Sequence, residues 1–314
     1  MGKVLKALHK ALEEEDQQRG EQGLPPDEPR GGDEAVPRPE AKTSGAPERG
    51  GGLRPVVRPE AWDVPSVDGW DEKLVVFSEP SSALAENFRL LRARILYPPS
   101  GRVYKNILIV STMPGSGKTF VCANLGVSIA QGMDQHALLV DCDFRRPRLE
   151  SMFNCKSGRG LVNYLRDGDD LGRLIVKTGM RKLSLIPSGP CPVNPAELLG
   201  SAKVERLFAE LASRYDDRFI LIDTPPTQAA SETTVLAKHA DGVILVVRWG
   251  LGAREPIRQL VEAIGPDKVI GVVFNAYEAS AISARMSGYD EYGQYAGGYG
   301  AYGGEQAREE GVAP

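Results

Sequence analysis

Cysteine is scarce in this chain: Cys122, Cys142, Cys155 and Cys191 are the only four in 314 residues. Their spacing matches neither a zinc site nor a framework of bridges. Positive charge is not in excess either. Lys and Arg number 38 against 42 Asp and Glu, a net charge of −4, which excludes the basic footprint of a nucleic-acid binder. No apolar run approaches the ~20 residues that span a bilayer. The N-terminus lacks the apolar core of a secretory leader. A reducing, cytoplasmic setting is therefore expected.

What the chain does have is a phosphate cradle. Residues 107–119 read Ile-Leu-Ile-Val-Ser-Thr-Met-Pro-Gly-Ser-Gly-Lys-Thr, an apolar strand running into a small-residue loop. Small residues let the backbone curl until successive N–H groups face one centre. Lys118 then reaches the β/γ-phosphates, and the Thr119 hydroxyl can ligate Mg²⁺. Thr112 stands where the usual P-loop pattern has its first glycine; the Gly-Lys-Thr chemistry is intact. Binding of a nucleoside triphosphate is expected.

Two further strands each deliver an acid. Ala137–Val140 leads into Asp141-Cys142-Asp143, and Arg218–Ile222 leads into Asp223-Thr224-Pro225-Pro226. In open α/β sheets ligands bind at this carboxyl edge. Asp223 reads as the Walker B acid that holds Mg²⁺, directly or through water.

The strand pattern (106–111, 137–141, 183–187, 218–223, 242–248 and 269–274) alternates with helical segments. Its strands are continuous Val/Ile/Leu runs. That predicts a doubly wound, mostly parallel P-loop sheet covered by helices on both faces. Residues 74–77 read as extended. A helix capped by Ser81 or Ser82 runs to about Leu96, burying Leu84, Phe88, Leu91 and Ile95. Residues 158–180 and 195–214 read as helical. Four regions follow: a short amphipathic helix at 1–19, a disordered linker at 20–61, the P-loop domain at 62–284 and a flexible Gly/Tyr-rich tail at 285–314. The linker reading rests on eight Gly and eight Pro among residues 20–60.

With these residues in view, the chain resembles the bacterial tyrosine kinases of the polysaccharide co-polymerase type, over about residues 75–305. Pro114–Thr119 resembles their Walker A, Val140–Pro147 their Walker A′, and Ile222–Pro226 their Walker B. Glu86, Arg89 and Arg92 resemble their Glu-x-x-Arg-x-x-Arg contact helix. The tail carries Tyr289, Tyr292, Tyr295, Tyr299 and Tyr302, five of the chain's ten tyrosines. The deviant-Walker partition ATPases share the fold. Their signature lysine, early in the loop, is replaced here by Met113.

The resemblance implies an ATP- and Mg²⁺-dependent tyrosine autokinase acting in capsule or exopolysaccharide synthesis and export. Pro114, Gly115, Ser116, Gly117, Lys118, Thr119 and Phe120 would contact nucleotide, and Asn275 the adenine. Lys118, Asp141 and Asp143 would be catalytic, with either aspartate as the base that takes the tyrosine proton. Thr119, Asp141 and Asp223 would hold the metal. The tail tyrosines would be the phosphorylated sites, and Glu86, Arg89 and Arg92 would build a ring of identical chains. The implied partners are a membrane-spanning co-polymerase, which recruits and activates the kinase at the inner face of the plasma membrane, and a phosphotyrosine phosphatase. Arg145 and Arg146 are candidates for attracting an anionic tail. A different reading, an ATP-driven positioning or scaffold switch, would leave the tyrosines incidental.

Overall fold

The computed structural model describes residues 67–277, apart from 216, 228–231 and 252. The expected N-terminal helix and linker, residues 62–66 and 278–284, and the expected tyrosine tail lie outside the described residues.

Seven strands form one sheet: β1 (Asn106–Val110), β2 (His136–Asp141), β3 (Val176–Lys177), β4 (Leu183–Ile186), β5 (Arg218–Asp223), β6 (Gly242–Arg248) and β7 (Val269–Asn275). Their order is β3-β4-β2-β5-β1-β6-β7. All pairings are parallel except β3 with β4. Alternation along each strand divides the core in two. Leu108, Val110, Leu138, Val140, Ile220 and Ile222 join one cluster. Ile107, Ile109, Leu139, Phe219 and Leu221 join the other. Burial on both faces explains why these strands are apolar at every position.

Nine α-helices appear among the described residues, with 3₁₀ turns that include Pro266–Lys268. The first five α-helices are α1 (Val75–Ser78), α2 (Ala83–Leu96), α3 (Lys118–Ala130), α4 (Leu149–Met152) and α5 (Leu161–Asp167). They are followed by α6 (Pro195–Leu199), α7 (Ala202–Arg214), α8 (Glu232–His239) and α9 (Arg254–Ile264), with a 3₁₀ turn at Leu171–Leu174. α3 is buried almost all round, so it is apolar without a polar stripe. Gly126 lets it press on the sheet: a Cβ there would lie 2.6 Å from a Leu139 methyl. Ser82 caps α2, accepting a bond from Ala85 N at 3.1 Å.

Several local expectations differ from what is found. Residues 75–78 form a helical turn, not an extended segment. Its Val76 N–H is taken by the Asn124 side chain at 3.1 Å, which docks the turn on α3. The 158–180 region is a helix, a 3₁₀ turn and the antiparallel strand β3, broken at Gly168, which has a positive φ of 78°. The 195–214 region is two helices separated at Gly200-Ser201. Leu84 is exposed, and Ala85 takes its place on the buried face of α2 with Phe88 and Ile95.

Candidate active site

Chain order creates the site. β1 lies between β5 and β6, and β2 lies beyond β5, so the loops after β1, β2 and β5 meet at one carboxyl edge. Asp141 and Asp223 end neighbouring strands as direct register partners.

The loop after β1 is the expected phosphate cradle. Gly115 and Gly117 have positive φ, 73° and 90°. Gly117 is the residue before α3, so the loop amides and the helix N-terminus face the same space. The Ser111 and Ser116 hydroxyls both donate to Met113 O, at 3.0 and 2.6 Å. Lys118 is buried, and its Nζ donates to Ser111 Oγ at 3.0 Å. Burial lowers its pKa, while Asp223 and Asp143 act in the opposite sense.

The acidic side is crowded. Asp141 has no exposure, and burial, then the charge of Asp223, push its pKa well up. Its carboxylate accepts from the N–H groups of Asp143 (3.1 Å), Arg148 (3.2 Å) and Leu149 (3.2 Å), fixing the start of α4. Asp143 accepts only from Arg146 N, at 3.1 Å through Oδ1, among the bonds described. Asp223 is pushed up to about 7 by burial, opposed by Thr119 and Lys118. The Thr119 hydroxyl donates to Asp223 Oδ2 at 2.6 Å, while Asp223 Oδ1 is buried with no partner.

These residues fit a divalent cation. A hydroxyl and a carboxylate already touch, and a buried anionic oxygen has nothing to bind. No group of three metal-ligating side chains clusters among the described residues. A hydroxyl and a carboxylate are the oxygen ligands that Mg²⁺ takes alongside substrate phosphates and water.

The AAA domain profile matches residues 104–269, more than half of the chain. The tyrosine-protein kinase YwqD of Bacillus subtilis is 31% identical over 224 residues, covering 71% of this chain and 90% of that one. The chain belongs to the bacterial tyrosine kinase family. The tyrosine-protein kinase wzc of Salmonella typhimurium is 30% identical over 225 residues, but these span only 30% of its length. The crystal structure of the chimerical protein CapA2B2 superposes with a TM-score of 0.60 at 31% identity, covering 69% of this chain and 96% of that one.

Within this family member, the sequence-predicted residues fall in three groups. Pro114 to Phe120, Asp141, Asp143 and Asp223 converge at the sheet edge. Asn275 joins them from the end of β7, where its amide donates to Ser116 O at 2.8 Å. Glu86, Arg89 and Arg92 lie apart, on α2. There Arg89 pairs with Glu86 at 2.7 Å and also donates to Pro80 O, and Arg92 donates to Ser128 O on α3 at 2.6 Å. The tail tyrosines lie outside the described residues.

Sequence reading missed three contributors. Ser111 is an ordinary strand-end serine until Lys118 folds onto it. Glu232, buried at the start of α8, pairs with Arg145 at 3.2 Å and joins the Walker A′ loop to the segment after β5. Arg248, ending β6, donates to Gly115 O at 3.0 Å. None belongs to a spaced motif, so only the fold brings them in. No helix among the described residues is long and apolar enough to cross a membrane.

Proposed function

We propose that this chain is an ATP- and Mg²⁺-dependent tyrosine autokinase that phosphorylates its own tail at Tyr289, Tyr292, Tyr295, Tyr299 and Tyr302. The observation that carries the reading is the Thr119–Asp223 contact at 2.6 Å, with a partnerless Asp223 oxygen beside Lys118, on a sheet edge that also bears Asp141 and Asp143.

Transfer to tyrosine is chiefly a matter of placement and charge. Loop amides and Lys118 bind and orient the triphosphate. Thr119 and Asp223, with Asp141 ending the neighbouring strand, would hold Mg²⁺, which would supply neutralisation of the triphosphate's charge. The tyrosine oxygen forms the new bond to the γ-phosphorus as the bond to the β–γ bridging oxygen breaks, and ADP leaves. A carboxylate accepts the phenol proton. The bonding pattern favours Asp143 in that role: Asp141 is committed to three backbone N–H groups, whereas Asp143 accepts a single described one.

The longer wzc relative and the chimerical protein CapA2B2 support a larger assembly. In this reading the cytoplasmic chain is recruited to the inner face of the plasma membrane by a membrane-spanning polysaccharide co-polymerase that stimulates it. Glu86, Arg89 and Arg92 join identical chains in a ring, and each tail enters a neighbour's site. Each phosphotyrosine adds a charge of about −1.5 to −2, which the three aspartates repel, so a fully modified tail leaves and the ring loosens. A phosphotyrosine phosphatase resets it. The output is control of capsule or exopolysaccharide synthesis and export.

Peptide mass spectrometry after incubation with ATP and Mg²⁺ tests the substrate. Phosphate on the five tail tyrosines is expected; phosphate confined to Tyr97, Tyr104, Tyr164, Tyr215 or Tyr277 would contradict it. Light scattering tests the switch. Dephosphorylated chains should assemble, and a Glu86→Ala, Arg89→Ala, Arg92→Ala variant should be monomeric.

A further inference from the structure

Loop amides converge on a phosphate only if the loop's carbonyls turn the other way. Each outward carbonyl then needs a donor to keep it there. Two consecutive ones find theirs on the sheet. Gly115 O accepts from Arg248 Nη1 at 3.0 Å, and Ser116 O from Asn275 Nδ2 at 2.8 Å. Arg248 and Asn275 are direct register partners on β6 and β7. Trp249 N donates to Asn275 O at 2.9 Å, which extends the pairing past the strand end. The donors thus stand on a rigid edge rather than on another loop. Contact between edge and loop is tight: a Cβ on Gly117 would fall 2.0 Å from Asn275 Nδ2.

Resting on the nucleotide-binding reading above, we propose that Arg248 is a positioning residue of the phosphate loop. With Asn275 it clamps two adjacent carbonyls and holds the loop amides ready before nucleotide arrives. The loop has particular use for an external clamp, since Thr112 replaces the first glycine of the usual pattern. Arg248 is exposed and sits outside both core clusters. Its loss should therefore disturb the loop and leave the fold alone.

The test is calorimetric titration of the full chain with ADP and, separately, with a non-hydrolysable ATP analogue, both with Mg²⁺. Arg248→Met keeps the aliphatic stem and removes the donors. It should weaken both nucleotides by the same factor, about tenfold, the low end for a hydrogen bond from a charged donor. Its melting temperature should match the wild type. Arg248→Lys, which restores a donor and the charge, should recover most of the affinity. Wild-type affinity in Arg248→Met would overturn the clamp, as would a loss accompanied by a lower melting temperature. A loss that grows from ADP to the ATP analogue would assign Arg248 to the γ-phosphate and equally overturn it. Failure of the wild type to bind either nucleotide would instead overturn the nucleotide-binding reading.

Discussion

In the loop after β1 the polar groups find partners. Ser111 takes Lys118, Met113 O takes two hydroxyls, and the Gly115 and Ser116 carbonyls take Arg248 and Asn275. On the acidic side the reverse holds. Asp141, Asp143 and Asp223 are all buried, Lys118 is the buried lysine between them, and one Asp223 oxygen has no partner. The phosphate half is organised in advance, so little is lost in ordering it when an anion binds. The acidic half is electrostatically strained without a cation, and burial drives the Asp141 and Asp223 carboxyls toward protonation. In the proposed reading, metal and nucleotide should each favour the binding of the other at such a site.

Removing the charge at the centre of the matched half should have the largest effect. Lys118→Met is expected to lower tyrosine phosphorylation by at least about 10²-fold, as for loss of a main electrostatic stabiliser, while the fold persists. Initial rates with a phosphotyrosine readout check it. On the acidic side, Asp143→Asn should lower kcat by about 10²- to 10⁴-fold, the usual range for a lost general base, and leave nucleotide affinity nearly unchanged. Kinetics alongside calorimetry separate this from a metal-binding role, in which affinity for Mg²⁺-nucleotide would fall with kcat.

Away from both halves, Gly126→Ala asks whether the site depends on close seating of α3. The added methyl meets Leu139 inside a filled core and should cost about 1–3 kcal/mol in denaturant unfolding, with kcat little changed. The last effect is a pH dependence. Asp223 has a folded pKa raised to about 7, so it holds its proton more tightly in the folded state. Its contribution to stability is present at low pH and is lost as pH rises from about 4 through about 7. Asp223→Asn removes that loss. In metal-free buffer the melting temperature of Asp223→Asn relative to wild type should rise across this window. A pH-independent difference would mean that Asp223 is not strained.

Much of this was legible in the sequence because the informative residues are local. Gly117-Lys118-Thr119 carries its geometry within one turn of chain. Asp141 and Asp223 end apolar runs long enough to read as buried strands. What was illegible depends on contacts distant in sequence. Val75 and Val76 have strand-like composition, yet they turn helically because Asn124, on α3, supplies the bond for Val76 N–H. Residues 158–180 look helical, but Gly168 stops α5 and Thr178 gives its hydroxyl to Leu183 O at 3.0 Å beside the β3–β4 pairing. Leu84 fits the helical apolar stripe and is exposed all the same, because α3 covers the neighbouring face of α2. Arg248 gave no sign of its place because nothing in its neighbours marks a residue that will meet a loop 133 positions away.

The most direct test of the central claim, that this edge transfers phosphate from ATP to the chain's own tyrosines, is the intact mass of the purified full chain after incubation with ATP and Mg²⁺. The account predicts a ladder of single phosphoryl additions, reversed by a tyrosine phosphatase and absent from Lys118→Met and from wild type without Mg²⁺. An unchanged mass for the wild type, or an undiminished ladder in Lys118→Met, would contradict it.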